Sequence, residues 1–209
     1  SRFVTVYRRL LEHYDRVVSV HLASVLSGTY ATARNAAEQV TAEQDRSGDI
    51  EVIDSRHLSG SLGLLVLEAA EAIERGVSAD DLVRCIEEWR GRARNLVSVA
   101  TLDYMVRGGR VSPLKGFAAR MLNLKPIVSV DEEGHSELYG KAFSRRRNRR
   151  KIVEMVRREH ERRPVTRYAV VHGHAEELAG EFAEDLMAVI GVAPEYTMDI
   201  SPVVGLNAG

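Results

Sequence analysis

The sequence predicts an α/β protein of two domains, a parallel βαβ domain over residues 1–92 and a mixed α+β domain with a hairpin over residues 93–209. Two observations carry this reading. In the first half, short β-branched runs alternate with segments of helical period, and short connections join them, as parallel βαβ units require. In the second half, two apolar runs flank the turn Asp131-Glu132-Glu133-Gly134, the mark of an antiparallel hairpin. The change of pattern places the boundary near residues 91–95.

Taken in order, Phe3, Val4, Tyr7, Leu10 and Leu11 recur at helical spacing and predict a helix over 3–14. Val17 to Leu22 is too short for a helix and rich in β-branched residues, so it reads as a strand. Residues 31–40 are helical in composition, and Glu51 to Asp54 forms a second strand. Ser55 to Gly63 reads as a Ser/Gly-rich turn leading into a helix over 64–75, which Gly76 stops. Ser78 caps the next helix, at about 79–91. In such sheets ligands gather at the carboxyl ends of the strands, which directs attention to the loops after Leu22 and after Asp54.

Beyond the boundary, Leu96 to Ala100 reads as a strand, Leu102 to Val106 as a short helix, and Arg107 to Pro113 as a turn. Pro126 to Val130 and Glu137 to Phe143 are the hairpin strands. A helix follows over about 145–160, a strand over Arg167 to His172 and a helix over about 175–190. Tyr196 to Ile200 is the last strand, before a Gly-ended tail.

The chain has 209 residues, of which 44% are apolar and 28% charged. That is enough to bury a core, and it excludes disordered and collagen-like classes. The formal net charge of −1 conceals an asymmetry. Residues 141–170 hold 12 Lys/Arg against 3 Asp/Glu, leaving 17 against 27 elsewhere. The single cysteine, Cys85, has no internal disulfide partner and lies in an apolar helical pattern, so it reads as a structural thiol. No apolar run reaches the roughly 18 residues of a membrane span, and no signal-peptide pattern opens the chain. The cytoplasm is the expected location.

The sharpest local feature is Ser24-Val25-Leu26-Ser27-Gly28-Thr29-Tyr30, between a strand and a helix. Hydroxyls and a glycine at a helix start leave backbone N–H groups outward, where the helix dipole favours a carboxylate or phosphate. Simple helix capping by Ser27 or Thr29 is the competing reading. Arg107-Gly108-Gly109-Arg110 reads either as an anion-gripping loop or as a solvated turn.

Together with Val52-Ile53-Asp54-Ser55, Gly108-Gly109-Arg110-Val111-Ser112 and Leu122-Asn123-Leu124-Lys125-Pro126-Ile127, the hydroxyl motif resembles the DegV family. The motifs stand in the family's order and at its spacing over essentially the whole chain. The resemblance implies a two-domain bacterial α/β protein that is not an enzyme. It implies a long-chain fatty acid as ligand, with its carboxylate at the hydroxyl loop and its chain in an apolar tunnel. It further implies a separate fatty acid kinase subunit to which the carboxylate is presented, and no cofactor or metal.

This sequence departs from the family pattern in three places. The family's longer N-terminal segment, with its Asp-Ser-Thr and Thr-Ser-Gln-Pro motifs, has no counterpart, so the chain is expected to lack that part of the first domain. Asn207 stands where the family carries a His; Asn donates a hydrogen bond but brings no positive charge. An Arg expected after the hairpin is also missing, since the stretch reads Lys141-Ala142-Phe143. The carboxylate set carried over is therefore Ser24, Ser27 and Thr29, with Asn207 as a conditional partner. By the same resemblance, Arg110 and more weakly Lys125 lie on the kinase-facing surface. Leu58, Leu62, Leu64, Leu65, Phe117, Met121, Leu122 and Ile127 suit either a tunnel wall or ordinary core.

Other chemistries find little support. There is no Gly-x-Ser-x-Gly elbow, Gly-x-Gly-x-x-Gly loop or Cys-x-x-Cys pair. Phosphoryl transfer would need a metal-holding carboxylate, for which Asp54 is the candidate. His172 and His174 lack a third ligand nearby, and His21 reads as a packed histidine able to orient a serine. The basic block from Ser144 to Arg163 lies on an amphipathic helix with Ile152, Val153 and Val156 inward. It reads as a solvated face or as a docking surface for a protein or an acidic membrane. Nucleic acid is the remaining alternative, and no aromatic residue interleaves to stack bases.

Overall fold

The computed structural model of the chain describes residues 1–44, 48–111 and 124–208. The chain forms two compact units: one comprises Ser1–Leu58, Leu65–Ala93 and Glu132–Gly134, the other Ser59–Leu64, Arg94–Asp131 and His135–Gly209.

In the first unit, α1 (Arg2–Leu11), β1 (Val17–His21), α2 (Thr29–Gln44) and β2 (Ile50–Asp54) are followed by α3 (Ser59–Glu74) and α4 (Ala79–Arg92). The strands pair in parallel, from Val17 opposite Ile50 to His21 opposite Asp54, as the βαβ reading requires. Val4, Tyr7 and Leu11 of α1 pack with Ala33, Ala36, Ala37 and Val40 of α2. The small alanines allow close approach. A second cluster joins Ile53 to Ala69, Ala72, Leu82 and Ile86 of α3 and α4.

The helix punctuation is local chemistry. Ser78 Oγ accepts the Asp81 N–H at 3.2 Å, so the expected cap forms. Gly76, at φ +84°, lets the chain leave α3, and Val77 N–H returns to the Ala72 carbonyl at 3.0 Å.

Helix α3 starts at Ser59, five residues before the expected position, because its glycines serve packing instead of turning. A side chain at Gly63 would bring its first carbon to 2.3 Å from the Tyr196 hydroxyl, and one at Gly60 would touch Val171. Tyr196 Oη in turn donates to the Gly60 carbonyl at 2.8 Å. All of these residues belong to the second unit.

The second unit holds β3 (Val97–Ser98), α5 (Asp103–Arg107), β4 (Lys125–Val130) and β5 (Ser136–Ala142), then α6 (Arg145–Arg162), β6 (Val170–His172), α7 (Glu176–Ile190), β7 (Thr197–Asp199) and α8 (Pro202–Ala208). Strands β3, β4 and β5 form an antiparallel sheet with an irregularity at Ile127/Val128, whereas β6 and β7 pair in parallel. The architecture is the expected mixed α/β one. Helix α6 is capped by Ser144, whose Oγ accepts the Arg147 N–H at 3.2 Å.

Further details differ from expectation, among them β6, which has three residues instead of six. Strand β3 has two residues instead of five. The Gly-ended tail is helix α8, with proline at its first position, where the missing N–H costs nothing. Finally, the inward face of α6 includes Asn148, fully buried, whose Nδ2 donates to the Lys125 and Pro126 carbonyls at 2.9 and 3.2 Å.

Candidate functional site

The hydroxyl loop leaves β1 at its carboxyl end. Buried Ala23 donates its N–H to the His57 carbonyl at 2.8 Å, and its own carbonyl accepts from Leu26 and Ser27 at 3.0 and 3.2 Å. The loop thus folds into a tight turn that delivers Ser27 beside Thr29, with hydroxyl oxygens 2.8 Å apart. Thr29 N–H points at Ser27 Oγ at 3.3 Å, so Ser27 satisfies one of the free N–H groups at the start of α2, while the Gly28 carbonyl takes the first helical bond, from Thr32. Capping and anion binding are not exclusive, because each hydroxyl has one proton and two lone pairs. Gly28 faces open space, with nothing within 4 Å of where a side chain would begin. Ser24 lies exposed on the same loop, held through its N–H.

The loop after β2 supports this one. Asp54 Oδ1 accepts the Ser24 N–H at 3.1 Å and the Arg56 N–H at 2.9 Å. Arg90 of α4 donates to the Asp54 carbonyl at 3.0 Å, and its own carbonyl meets His57 Nε2 at 3.0 Å. Fully buried Ser55 accepts the His57 N–H at 3.0 Å. Arg56 and Ser59 both sit in the left-handed region, at φ +54° and +53°, a conformation that non-glycine residues keep only when their surroundings enforce it.

A part-buried polar chain runs from α1 to β1. Tyr7 Oη donates to Ser19 Oγ at 2.8 Å, and Ser19 Oγ lies 2.9 Å from His21 Nε2. Phe3 packs edge-on against the imidazole. Burial holds His21 below the ordinary imidazole value, opposed by the charge of Asp54. Burial also raises the Tyr7 phenol, against the hydrogen bond to Ser19. Both groups are therefore uncharged near neutral pH. Sequence reading named His21 as able to orient a serine, and Ser19 is the serine it meets.

The remaining site residues lie in the second unit. Asn207 donates to the Val203 carbonyl at 2.9 Å and presses its Oδ1 against Gly108, leaving no room there for a side chain. Gly109 turns at φ +72°, and exposed Arg110 donates to the Gly108 carbonyl. Lys125 Nζ donates to the Ala100 carbonyl at 3.1 Å. The structure thus sets the Ser27 and Thr29 hydroxyls against each other, with Ser24 exposed earlier in the same loop, and brings Asn207 against the turn that carries Arg110. Of the apolar candidates, Ile127 and Leu65 are buried, while Leu58, Leu62 and Leu64 are half-buried. Phe117, Met121 and Leu122 lie outside the described residues.

Sequence reading missed Arg90, His57 and Arg56 as supports, and weighed Asp54 only as a metal ligand. The position of Asp54 at the carboxyl end of its strand pointed to it, but nothing in the spacing announces Arg90, 36 residues further on. Elsewhere, His172 Nδ1 faces Asp199 Oδ1 at 3.1 Å and receives the Ala175 N–H at 3.3 Å. No cluster of three or more metal-ligating side chains occurs among the described residues. Cys85 is half-buried in α4.

The basic helix α6 is partly neutralised. Arg149 Nε donates to Asp185 at 2.6 Å, and its Nη1 and Nη2 contact Glu181, so its guanidinium is held even more firmly in the charged form. Arg158 pairs with Glu154 at 2.9 Å. Arg145, Arg146, Arg147, Arg150 and Arg157 are exposed. Arg150, Lys151 and Arg157 line an open groove of about 660 Å³ with Val153, Ala188 and Val189.

The family model described as "Uncharacterised protein, DegV family" matches residues 1–209. Protein DegV of Bacillus subtilis is 30% identical over 210 residues, covering 100% of this chain and 73% of that one. A DegV domain-containing protein of Clostridium perfringens is 34% identical over 154 residues, or 74% of this chain and 53% of that one. The chain therefore spans about half to three quarters of the length of these relatives.

Among solved structures, the Bacillus subtilis DegV structure, described as a fatty acid binding protein, superposes with TM-score 0.86 at 29% identity, covering 100% of this chain and 72% of that one. A Thermus thermophilus DegV family protein, described by its fatty acid binding, gives TM-score 0.82 at 30% identity, with 99% and 72% covered. A stearic acid-binding protein of Eubacterium ventriosum gives 0.91 at 23% identity, with 99% and 71% covered, which speaks to the fold. By sequence match along its full length and by fold, the chain belongs to the DegV family.

Proposed function

We propose that the protein binds a long-chain fatty acid without transforming it. Its carboxylate is held by Ser24, Ser27 and Thr29, and its acyl chain lies in an apolar tunnel. The observation that carries this reading is the Ser27–Thr29 pair, two hydroxyls 2.8 Å apart beside the open face of Gly28. Such neutral donors hold a carboxylate through hydrogen bonds of about 1.5–3 kcal/mol each. The alkyl chain contributes most of the affinity, about 0.8 kcal/mol per buried methylene. The fatty acids named for the Bacillus subtilis and Thermus thermophilus proteins support the choice of ligand. Asn207 is the conditional partner of this carboxylate set. The bound acid is presented in the cytoplasm to a separate kinase subunit, with Arg110 and Lys125 on the docking face. No cofactor takes part.

Saturable binding of a fluorescent fatty acid to solvent-extracted protein is the test. Absence of saturation would refute the proposal.

A second reading rests on the exposed arginines of α6, which suit an interaction or nucleic-acid-binding module. That reading requires DNA or RNA affinity falling steeply between low and moderate salt.

A further inference from the structure

Asp54 is of the wrong sign to attract a carboxylate, yet it stands at the end of β2 directly against the loop proposed to hold one. Its geometry gives it a different task. One oxygen, Oδ1, accepts both the Ser24 N–H, from the loop after β1, and the Arg56 N–H, from its own loop, at 3.1 and 2.9 Å. Its carbonyl is fixed by Arg90 of α4 at 3.0 Å. A single residue therefore ties two strand-end loops and a helix together. The Arg56 bond also closes a local turn that sustains the left-handed backbone there.

The next N–H back along the loop, Ala23, is bonded to the His57 carbonyl in the same supporting segment. The entry to the hydroxyl loop is thus held at two consecutive residues by the segment after β2. From that fixed entry the chain turns through the bonds from Leu26 and Ser27 to the Ala23 carbonyl and reaches Thr29. The bond to Asp54 brings a full charge to the entry of the loop. That charge is directed at backbone N–H groups, where charge-assisted bonds are stronger than neutral ones.

We propose that Asp54 is the positioning residue of the fatty-acid carboxylate site: it fixes the course of the loop so that Ser24, Ser27 and Thr29 present their hydroxyls together. This rests on the fatty-acid reading above. Asp54 acts through the loop and does not touch the ligand.

The test compares a fluorescent fatty acid with the matching fatty alcohol, which shares the chain and lacks the carboxylate, on native protein, Asp54→Ala and Asp54→Asn. Asp54→Ala is expected to weaken the acid about tenfold and to leave the alcohol within about twofold. Asp54→Asn keeps an acceptor at Oδ1 and is expected to weaken the acid about threefold. Unchanged binding of the acid by Asp54→Ala, or equal losses for acid and alcohol, would overturn the positioning role. Tighter or unchanged binding of the acid by Asp54→Asn would overturn it too, and decides the matter if circular dichroism shows that Asp54→Ala does not fold. Native protein binding neither probe would instead remove the fatty-acid reading itself.

Discussion

The loop after β1 carries no charged side chain from Leu22 to Tyr30, whereas α6 carries six Lys/Arg in its first seven residues, Arg145 to Lys151, interrupted by Asn148. Both regions offer hydrogen-bond donors, but they differ in how those donors are fixed. On the loop, two consecutive N–H groups are tied to the segment after β2, and the hydroxyls meet each other. On α6, the arginine with ties to a second helix is Arg149, and its partners are carboxylates. Density of charge gives attraction without direction, screened over about 10 Å in ordinary salt. Fixed neutral donors give direction with little long-range pull. A ligand that is mostly hydrocarbon needs the second kind of site.

The strongest way to break this contrast is to remove the hydroxyl pair. Ser27→Ala combined with Thr29→Ala is expected to weaken fatty acid affinity by about tenfold or more, read by probe displacement. A loss below about twofold would move the carboxylate off the loop.

A pH titration sharpens it further. His21 is held below its ordinary value of 6.5 by burial, so the folded protein binds fewer protons than the unfolded chain there. Stability from this group is therefore full above the ordinary imidazole range. It declines as pH falls through that range and levels off below the depressed folded value. The charged group acting on the ring is Asp54 from β2, and Tyr7 from α1 reaches it through the Ser19 hydroxyl. Denaturant unfolding of His21→Asn should lose this part of the acid sensitivity, and an unchanged profile would place it on other groups.

The smallest effect is expected on the other side of the comparison. Arg146→Gln with Arg147→Gln is expected to change stability by less than about 0.5 kcal/mol, as exposed surface positions do, and fatty acid affinity by less than about twofold. A larger loss of affinity would give the basic face a part in ligand capture.

Much of the scaffold was legible in the residues. The β-branched runs at Val17 and Glu51, the Ser78 cap and the acidic hairpin turn are local signals, and the structure honours each of them. What escaped was set by distant partners. Gly60 and Gly63 read as turn formers because nothing nearby reveals Tyr196, and Asn148 reads as part of a polar face because its carbonyl partners come from β4. Helix α8 was hidden by its Gly and β-branched residues, which disfavour helix locally, although its leading proline is a helix-start signal. The hydroxyl loop was legible as a motif, but its supports were not. Hydrogen bonds from Arg90 and to His57 depend on how α4 packs, which no spacing encodes.

The Tyr196–α3 contact also bears on how this sequence can drift. Tyr196 is tied by its hydroxyl to the Gly60 carbonyl while its ring end fills the space over Gly63. Any enlargement at position 63 meets a side chain that is already tethered, and shortening position 196 empties the space and frees the carbonyl. Neither change is harmless alone, so lineages are expected to retain the two residues as a pair or exchange them together, which makes this contact a marker of shared descent that lies apart from the ligand chemistry.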